Sequence, residues 1–429
     1  MNKIQFNDGL LEFLAASPTP FHAVSNLLPL FLENDFIHLD EGEAWELKPG
    51  GRYVVTRNGS ALIAFTMGTT PLAETGMAMA GAHTDSPCLK LKPTPTLSGP
   101  GGVRLGVEVY GSPLLTTWFD RDLSLAGRIS YAKDEGAASK IQSALVDLRR
   151  PLAVVPNIAI HLDREANKNR SVQNQKELPP LLCAEAHLTG AFDELIQKAL
   201  ADQGIVLERD AILEHELQLY DTQPPDYTGA SRELFSGARI DNLLSCYTLA
   251  HGLAESRSET PSLIVLNDHE EIGSQTPEGA AGSFLMQVLE RILPDPQERS
   301  RAFTKSFMVS SDNAHAVHPA HVEKFDPNHG PALNSGPVIK YNANRRYATT
   351  GLTAARFRLL CRSAGVPVQA FVMRSDMPCG STIGPITAAL TGIPTVDVGI
   401  PMLAMHSIRE TAGCEDAFFL YRVMTEYFG

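Results

Sequence analysis

No C-x-x-C pair occurs in this chain. Its six cysteines (88, 183, 246, 361, 379 and 414) are scattered, so they suggest neither a zinc knuckle nor a disulfide framework. Cys88 and Cys379 lie near candidate site residues, and both read as small buried thiols. No apolar stretch reaches the roughly 20 residues of a membrane span. Residues 1–8 lack the basic start and apolar core of a secretory signal. A reducing cytoplasm and no membrane partner are the expectation. Positive charge is also scarce. With 36 Lys and Arg against 49 Asp and Glu, the net charge is -13, so no nucleic-acid partner is expected. There are no repeats and no low-complexity tract.

What is present is an ordinary globular composition, 43% hydrophobic and 20% charged over 429 residues. That length is long for one core and predicts two domains. Four apolar runs end in side chains that bind metals. Ser262-Leu-Ile-Val-Leu-Asn267 climbs into Asp268, His269, Glu270 and Glu271. Gly76 to Ala82 leads to His83 and Asp85, Phe307 to Ser310 leads to Asp312, and Thr395 to Met405 leads to His406. Uninterrupted apolar runs of this kind suit buried parallel strands. In open α/β sheets, ligands sit at the carboxyl ends of such strands. A fifth candidate, Asp241, stands just before a helical pattern.

The texture of the chain supports an α/β fold interrupted by an insertion. A helix is expected over 6–16. Thr19 is placed to cap a second helix with Pro20 at its first position, and strands follow in 52–67. The Gly/Pro-rich stretch 94–102 marks a boundary. Beyond it come short β-like runs (103–110, 123–131, 152–162), a charged loop (163–180), a helix (190–204) and a further strand (214–219). Boundary signals return at 221–226, and strands and helices alternate again from 236. Residues 1–93 and 236–429 are therefore expected to form the catalytic domain, with 94–235 as the insert.

His83, Asp241, Glu271, Asp312 and His406 are nitrogen and oxygen donors without a thiolate, a set that suits zinc, cobalt or manganese. Five donors exceed what one open catalytic zinc needs. They suit two cations about 3.5–4 Å apart that share a carboxylate. Glu270, adjacent to Glu271, is then free to act as general base toward the reacting water. Asp85 can orient His83 through the second ring nitrogen. Taken singly, each feature has a plainer reading: a structural His-x-Asp, a solvated Glu-Glu helix face, a helix cap at Asp312, a core histidine at 406.

Ser17-Pro-Thr-Pro-Phe-His-Ala-Val24, Ala82-His-Thr-Asp-Ser-Pro87, Asp268-His-Glu-Glu-Ile-Gly-Ser274, Lys340-Tyr-Asn-Ala-Asn344, Pro378-Cys-Gly-Ser-Thr-Ile-Gly-Pro385 and Ala404-Met-His-Ser-Ile-Arg-Glu410 together resemble the M18 metalloaminopeptidases. This is the aspartyl aminopeptidase and yeast vacuolar aminopeptidase I group, and the chain looks like a bacterial member. The resemblance runs through nearly the whole chain. It implies a zinc-exopeptidase-like α/β/α catalytic domain with an inserted β-rich dimerisation domain. It also implies a two-zinc exopeptidase that removes single N-terminal residues from peptides, with Asp241 bridging the cations and Glu270 as base. Dimers would assemble into a tetrahedral dodecamer.

The resemblance extends to further residues. Pro156-Asn-Ile-Ala-Ile-His-Leu162 resembles a segment whose histidine enters a neighbouring subunit's site, which would make His161 an oxyanion-stabilising group in trans. The residues alone read His161 as a strand-end histidine. Lys340 resembles the partner of an acidic P1 side chain, with a surface lysine beside a turn as the alternative. His318 is a candidate for substrate or oxyanion contact. Asp376 is a candidate for the substrate α-amino group. Gly380 and Ser381 lie in a loop that opens a helix, where backbone N–H groups can meet polar ligands. A related metal-dependent deacylase or carboxypeptidase, or a non-catalytic self-assembling shell protein, stand as alternatives.

Overall fold

The apolar runs form strands buried along their whole length: Ala61–Thr66, Ala78–His83, Ser262–Asn267, Phe307–Ser311 and Thr395–Gly399. The computed structural model describes residues 1–135 and 138–429. The described chain divides into two compact units. One comprises Met1–Ser86, Pro225–Met405 and Glu410–Gly429, and the other Pro87–Pro224 with His406–Arg409. Among the described residues, no helix is long and apolar enough to cross a membrane.

The first unit is built on a mixed sheet. Its strand order is Ile37–Leu39, Arg52–Arg57, Ala61–Thr66, Ser262–Asn267, Ala78–His83, Phe307–Ser311, Thr395–Gly399, Val338–Tyr341 and Gln369–Val372. The four strands from Ser262–Asn267 to Thr395–Gly399 run parallel to one another. Their continuous apolar character follows from burial on both faces. Ile264 and Leu266 point into a core with Phe6, Leu10, Leu243, Leu244 and Leu420. Leu263 and Val265 point the other way, against Phe284, Val288 and Leu289. Helices Lys3–Ala16, Ile240–Glu255 and Cys414–Phe428 therefore cover one face, and Phe284–Ile292 covers the opposite face. Helix Pro20–Leu32 starts as expected, with the Thr19 hydroxyl accepting from His22 N at 3.3 Å, a cap of the kind worth about 1 kcal/mol.

A smaller sheet in the same unit joins Asp226–Thr228, Leu234–Gly237, Glu410–Gly413, Pro401–Leu403 and Ala314–His315. No sequence pattern announced it, because its strands are short and come from three distant stretches.

The second unit carries an antiparallel sheet in the order Ala138–Asp147, Leu123–Glu135, Ile212–Asp221, Cys88–Gly99, Gly102–Tyr110 and Leu181–Cys183. Helix Ala191–Ala201 packs Phe192, Ile196 and Leu200 into its core beside Leu89, Leu105, Leu125 and Leu219. This unit runs from Pro87 to Pro224, against the 94–235 expected. The Gly/Pro-rich stretch is not a linker. Pro93 and Pro95 sit where the register of a hairpin shifts between Leu91 and Thr96, and Pro100 and Gly101 form its turn. Proline cannot donate to a ladder, so a bulge is where it fits.

The β-like run 152–162 also needs correction. Only isolated bridges at Ala153, Val154 and Val155 form. Residues 156–162 are exposed, with Ile158 at 52%, Ile160 at 46% and Leu162 at 78%. The chain turns away after Pro156 because Asn157 N donates to Asp120 Oδ1 at 2.9 Å.

Candidate metal centre

Parallel pairing sets the site. Asn267 is in register with His83, and Ser310 with Gly81. The carboxyl ends of three adjacent strands therefore present His83, the Asp268–Glu271 turn and Asp312 side by side. The alternative helix-cap reading of Asp312 fails, since a strand residue precedes it and Ala314–His315 is again strand.

His83 is 1% exposed. Its Nε2 stands 3.7 Å from Asp241 Oδ1 and 3.8 Å from Asp312 Oδ1. These gaps are too long for hydrogen bonds. They are of the order expected for donors that each lie roughly 2.0–2.2 Å from one zinc. Nδ1 faces Asp85, at 3.0 Å from its main-chain oxygen and 3.4 Å from Oδ1. That directs an Nδ1 proton to Asp85 and turns Nε2 toward the two aspartates.

The Asp85 side chain does more than the sequence suggested. Its Oδ1 accepts from Glu270 N and its Oδ2 from Glu271 N, each at 3.1 Å. One buried carboxylate thus fixes the turn that carries both glutamates. That turn, Glu270–Ile272, is entered at His269 with φ 63° and left at Gly273 with φ 98°. The glutamates are not on a solvated helix face. Burial pushes Glu270 up to about 7. His83 opposes this, while Asp312, Asp85 and Asp241 push the same way.

Asp241 is 3% exposed, its backbone N–H donates to Glu410 Oε2 at 3.0 Å, and its carbonyl accepts from Ser86 Oγ at 2.6 Å. The Asp241–Asn242 peptide is cis. Lys340 is 4% exposed, not a surface lysine. Its Nζ lies 3.9 Å from Asp312 Oδ2 and 5.5 Å from the Tyr347 ring centroid. Burial raises Asp312, but Lys340 and His83 outweigh it and hold its carboxyl well below the usual range. Burial lowers His83, but Asp312, Asp85 and Glu270 more than offset it, so its pKa stands well above the ordinary value.

The pocket therefore gathers Asp85, Asp241, Glu270, Glu271 and Asp312 against one ammonium and one imidazole. Donor atoms of His83, Asp241 and Asp312 lie within 4.8 Å of one another, as do those of His83, Glu270 and Glu271. Excess negative charge on nitrogen and oxygen donors fits borderline divalent cations such as zinc. Cys246 is no ligand. Its Sγ donates to the His83 carbonyl at 3.0 Å, and burial pushes the thiol up to about 12.

His406 belongs with the second unit, its Nδ1 3.1 Å from the Ser112 carbonyl oxygen. His161 lies in an exposed turn of that unit, not at a strand end. His318 is exposed and 4.9 Å from the His321 ring. Asp376 is exposed and grips Arg374 through two bonds of 2.7 Å. Gly380 and Ser381 are exposed, and the Ser381 hydroxyl donates to the Arg346 carbonyl at 3.1 Å. A helix does follow them, Ile383–Thr391.

Of the buried acids that were missed, two hold stretches that carry candidate residues. Asp397 Oδ1 accepts from Thr382 Oγ1 at 2.6 Å and its Oδ2 from Ala348 N at 2.5 Å. A Cβ on Gly384 would stand 2.2 Å from Asp397 Oδ1. Glu410 is the other. The signal for Asp397 was a lone carboxylate inside an apolar strand.

This arrangement, acids and an imidazole at parallel strand ends in a cluster that could hold a divalent cation, is of a metallohydrolase type. Residues 13–428 match the family described as Aminopeptidase I zinc metalloprotease (M18). The chain belongs to the M18 family of zinc aminopeptidases, and so is a peptide-bond hydrolase. It is 50% identical to "Probable M18 family aminopeptidase 2" of Stutzerimonas stutzeri (strain A1501), covering 99% of this chain and 98% of that protein. Among solved structures, a chain of the Ape4 and Nbr1 complex is 36% identical with a TM-score of 0.96, covering 99% and 86%. The "S. cerevesiae mApe1 dodecamer" is 28% identical with a TM-score of 0.84, covering 98% and 95%.

Proposed function

We propose that this chain is a dinuclear metal-dependent aminopeptidase that removes single N-terminal residues from peptides. His83, Asp241, Glu271, Asp312 and His406 would hold two divalent cations, zinc by family. When bound, the pair supplies a Lewis acid for the scissile carbonyl and lowers the pKa of the attacking water. Glu270 accepts that water's proton and delivers it to the departing amine nitrogen. Asp85 keeps the base in place by holding the Glu270 and Glu271 amides, and it keeps His83 in one tautomer. The observation that carries this reading is the triad of buried donors on His83 Nε2, with Glu270 on a clamped turn beside it.

Lys340 carries a preference for acidic P1 side chains. Its buried ammonium beside the pocket supports this, because a substrate carboxylate can share the charge that Asp312 now faces. His161 acts in trans on another subunit, within dimers that build a dodecamer like that of the mApe1 relative. The exposed Ile158, Ile160 and Leu162 around it are available for such an interface. The insert is then the dimerisation domain. His318, Asp376, Gly380 and Ser381 border the substrate. Six free thiols suit a reducing cytoplasm.

The test is Glu270→Gln with aminoacyl-nitroanilides and N-acyl amino acids as rival substrates. Turnover of the nitroanilides should fall by about 10²–10⁴-fold with zinc retained. Retained turnover sinks the base assignment. Preference for N-acyl amino acids favours a deacylase or carboxypeptidase.

A further inference from the structure

Asp241 lies in a stretch that no helix or sheet ladder supports. Arg239 has φ 61°, and both Asp241 and Asn242 leave helical dihedrals at the start of Ile240–Glu255. Its buried backbone groups must therefore find side-chain partners. The Asn313 amide donates to the Ile240 carbonyl at 3.0 Å, and Ser86 Oγ to the Asp241 carbonyl at 2.6 Å. The Asn242 amide donates to the Ser311 carbonyl at 2.8 Å. The Asp241 N–H goes to a carboxylate, Glu410 Oε2, at 3.0 Å. Glu410 is 2% exposed.

Burying a carboxylate is costly unless its bonds repay it. The position of Glu410 is also fixed by the stretch it serves. Glu410 pairs with Gly237 in the small sheet, and Gly237 leads through Ala238, Arg239 and Ile240 into Asp241. From that position its side-chain oxygen reaches the buried Asp241 N–H.

We infer that Glu410 is a positioning residue for the metal centre. It pins the Asp241 backbone so that the Asp241 carboxylate is aimed before any cation arrives. This rests on the reading of Asp241 as a metal ligand. The bond, and so the reach of the side chain, is what matters.

Three variants of the full-length protein separate reach from charge: Glu410→Gln keeps the reach, Glu410→Asp keeps the charge one methylene short, and Glu410→Ala removes both. Asp241→Ala is the control. Zinc affinity is measured by competition against a chromogenic chelator, with kcat and KM at saturating zinc. Glu410→Asp and Glu410→Ala should each lose about 10–100-fold in zinc affinity, with kcat reduced and KM held, and Glu410→Gln should stay near wild type. If Glu410→Ala does not fold, the Asp and Gln pair decides. Wild-type zinc affinity in Glu410→Asp, or a Gln variant as weak as the Asp variant, overturns the inference while an Asp241→Ala loss leaves the metal centre standing. An Asp241→Ala protein that binds zinc normally overturns both.

Discussion

The strand-end cluster and the exposed loops were both assigned site residues, and they are built differently. His83, Asp85, Asp241 and Asp312 are each less than a tenth exposed, and His83, Asp85 and Asp241 are held by named partners on other elements. His161, His318, Asp376, Gly380 and Ser381 are exposed in loops and turns. Chemistry that requires fixed geometry is placed where packing over-determines each side chain. Residues that only meet substrate, or another subunit, sit where the backbone can vary. Mutations in the cluster should therefore damage metal binding and turnover together, whereas mutations in the exposed loops should leave zinc affinity unchanged.

The largest effect that tests this contrast is at Asp85. In Asp85→Asn one carboxylate oxygen becomes an NH₂ that faces a backbone donor, so either the Glu270 or the Glu271 amide loses its acceptor. Zinc affinity or kcat/KM should fall about 10–100-fold, read by chelator competition and nitroanilide kinetics. An Asn variant equal to wild type would show that the turn holds itself. An intermediate effect is expected at Gly384, which is packed against the buried Asp397 carboxylate. Gly384→Ala should cost about 1–3 kcal/mol by overpacking, read as a shift in denaturant midpoint. The smallest effects belong to His318→Ala and Asp376→Ala. Both should leave stability within about 0.5 kcal/mol and zinc affinity unchanged. A loss of bound zinc in either would erase the distinction between cluster and loops.

Much of the cluster was legible because burial on both sheet faces makes strands read as unbroken apolar runs, and the polar residue that ends each run is conspicuous. That logic found His83, Glu270, Glu271 and Asp312. What it could not find is pairing across distance. Asp85 reaches the amides of residues 270 and 271, Glu410 reaches Asp241, and Lys340 reaches Asp312. No local pattern encodes such contacts. The alternation Ile158, Ile160, Leu162 misled for the opposite reason. Period two signals a strand only when one face is covered, and here all three side chains are exposed. The Gly/Pro-rich stretch 94–102 read as a boundary because the glycines and prolines of a bulged hairpin carry the same composition.

The account depends most on the proposal that the cluster holds cations, so the decisive measurement is zinc per chain by elemental analysis in the wild type and in Asp312→Ala, paired with turnover. The prediction is two zinc ions per active wild-type chain, fewer in the variant, and turnover lost on chelation and restored by zinc. A zinc-free chain that turns over peptide substrates at full rate would contradict it.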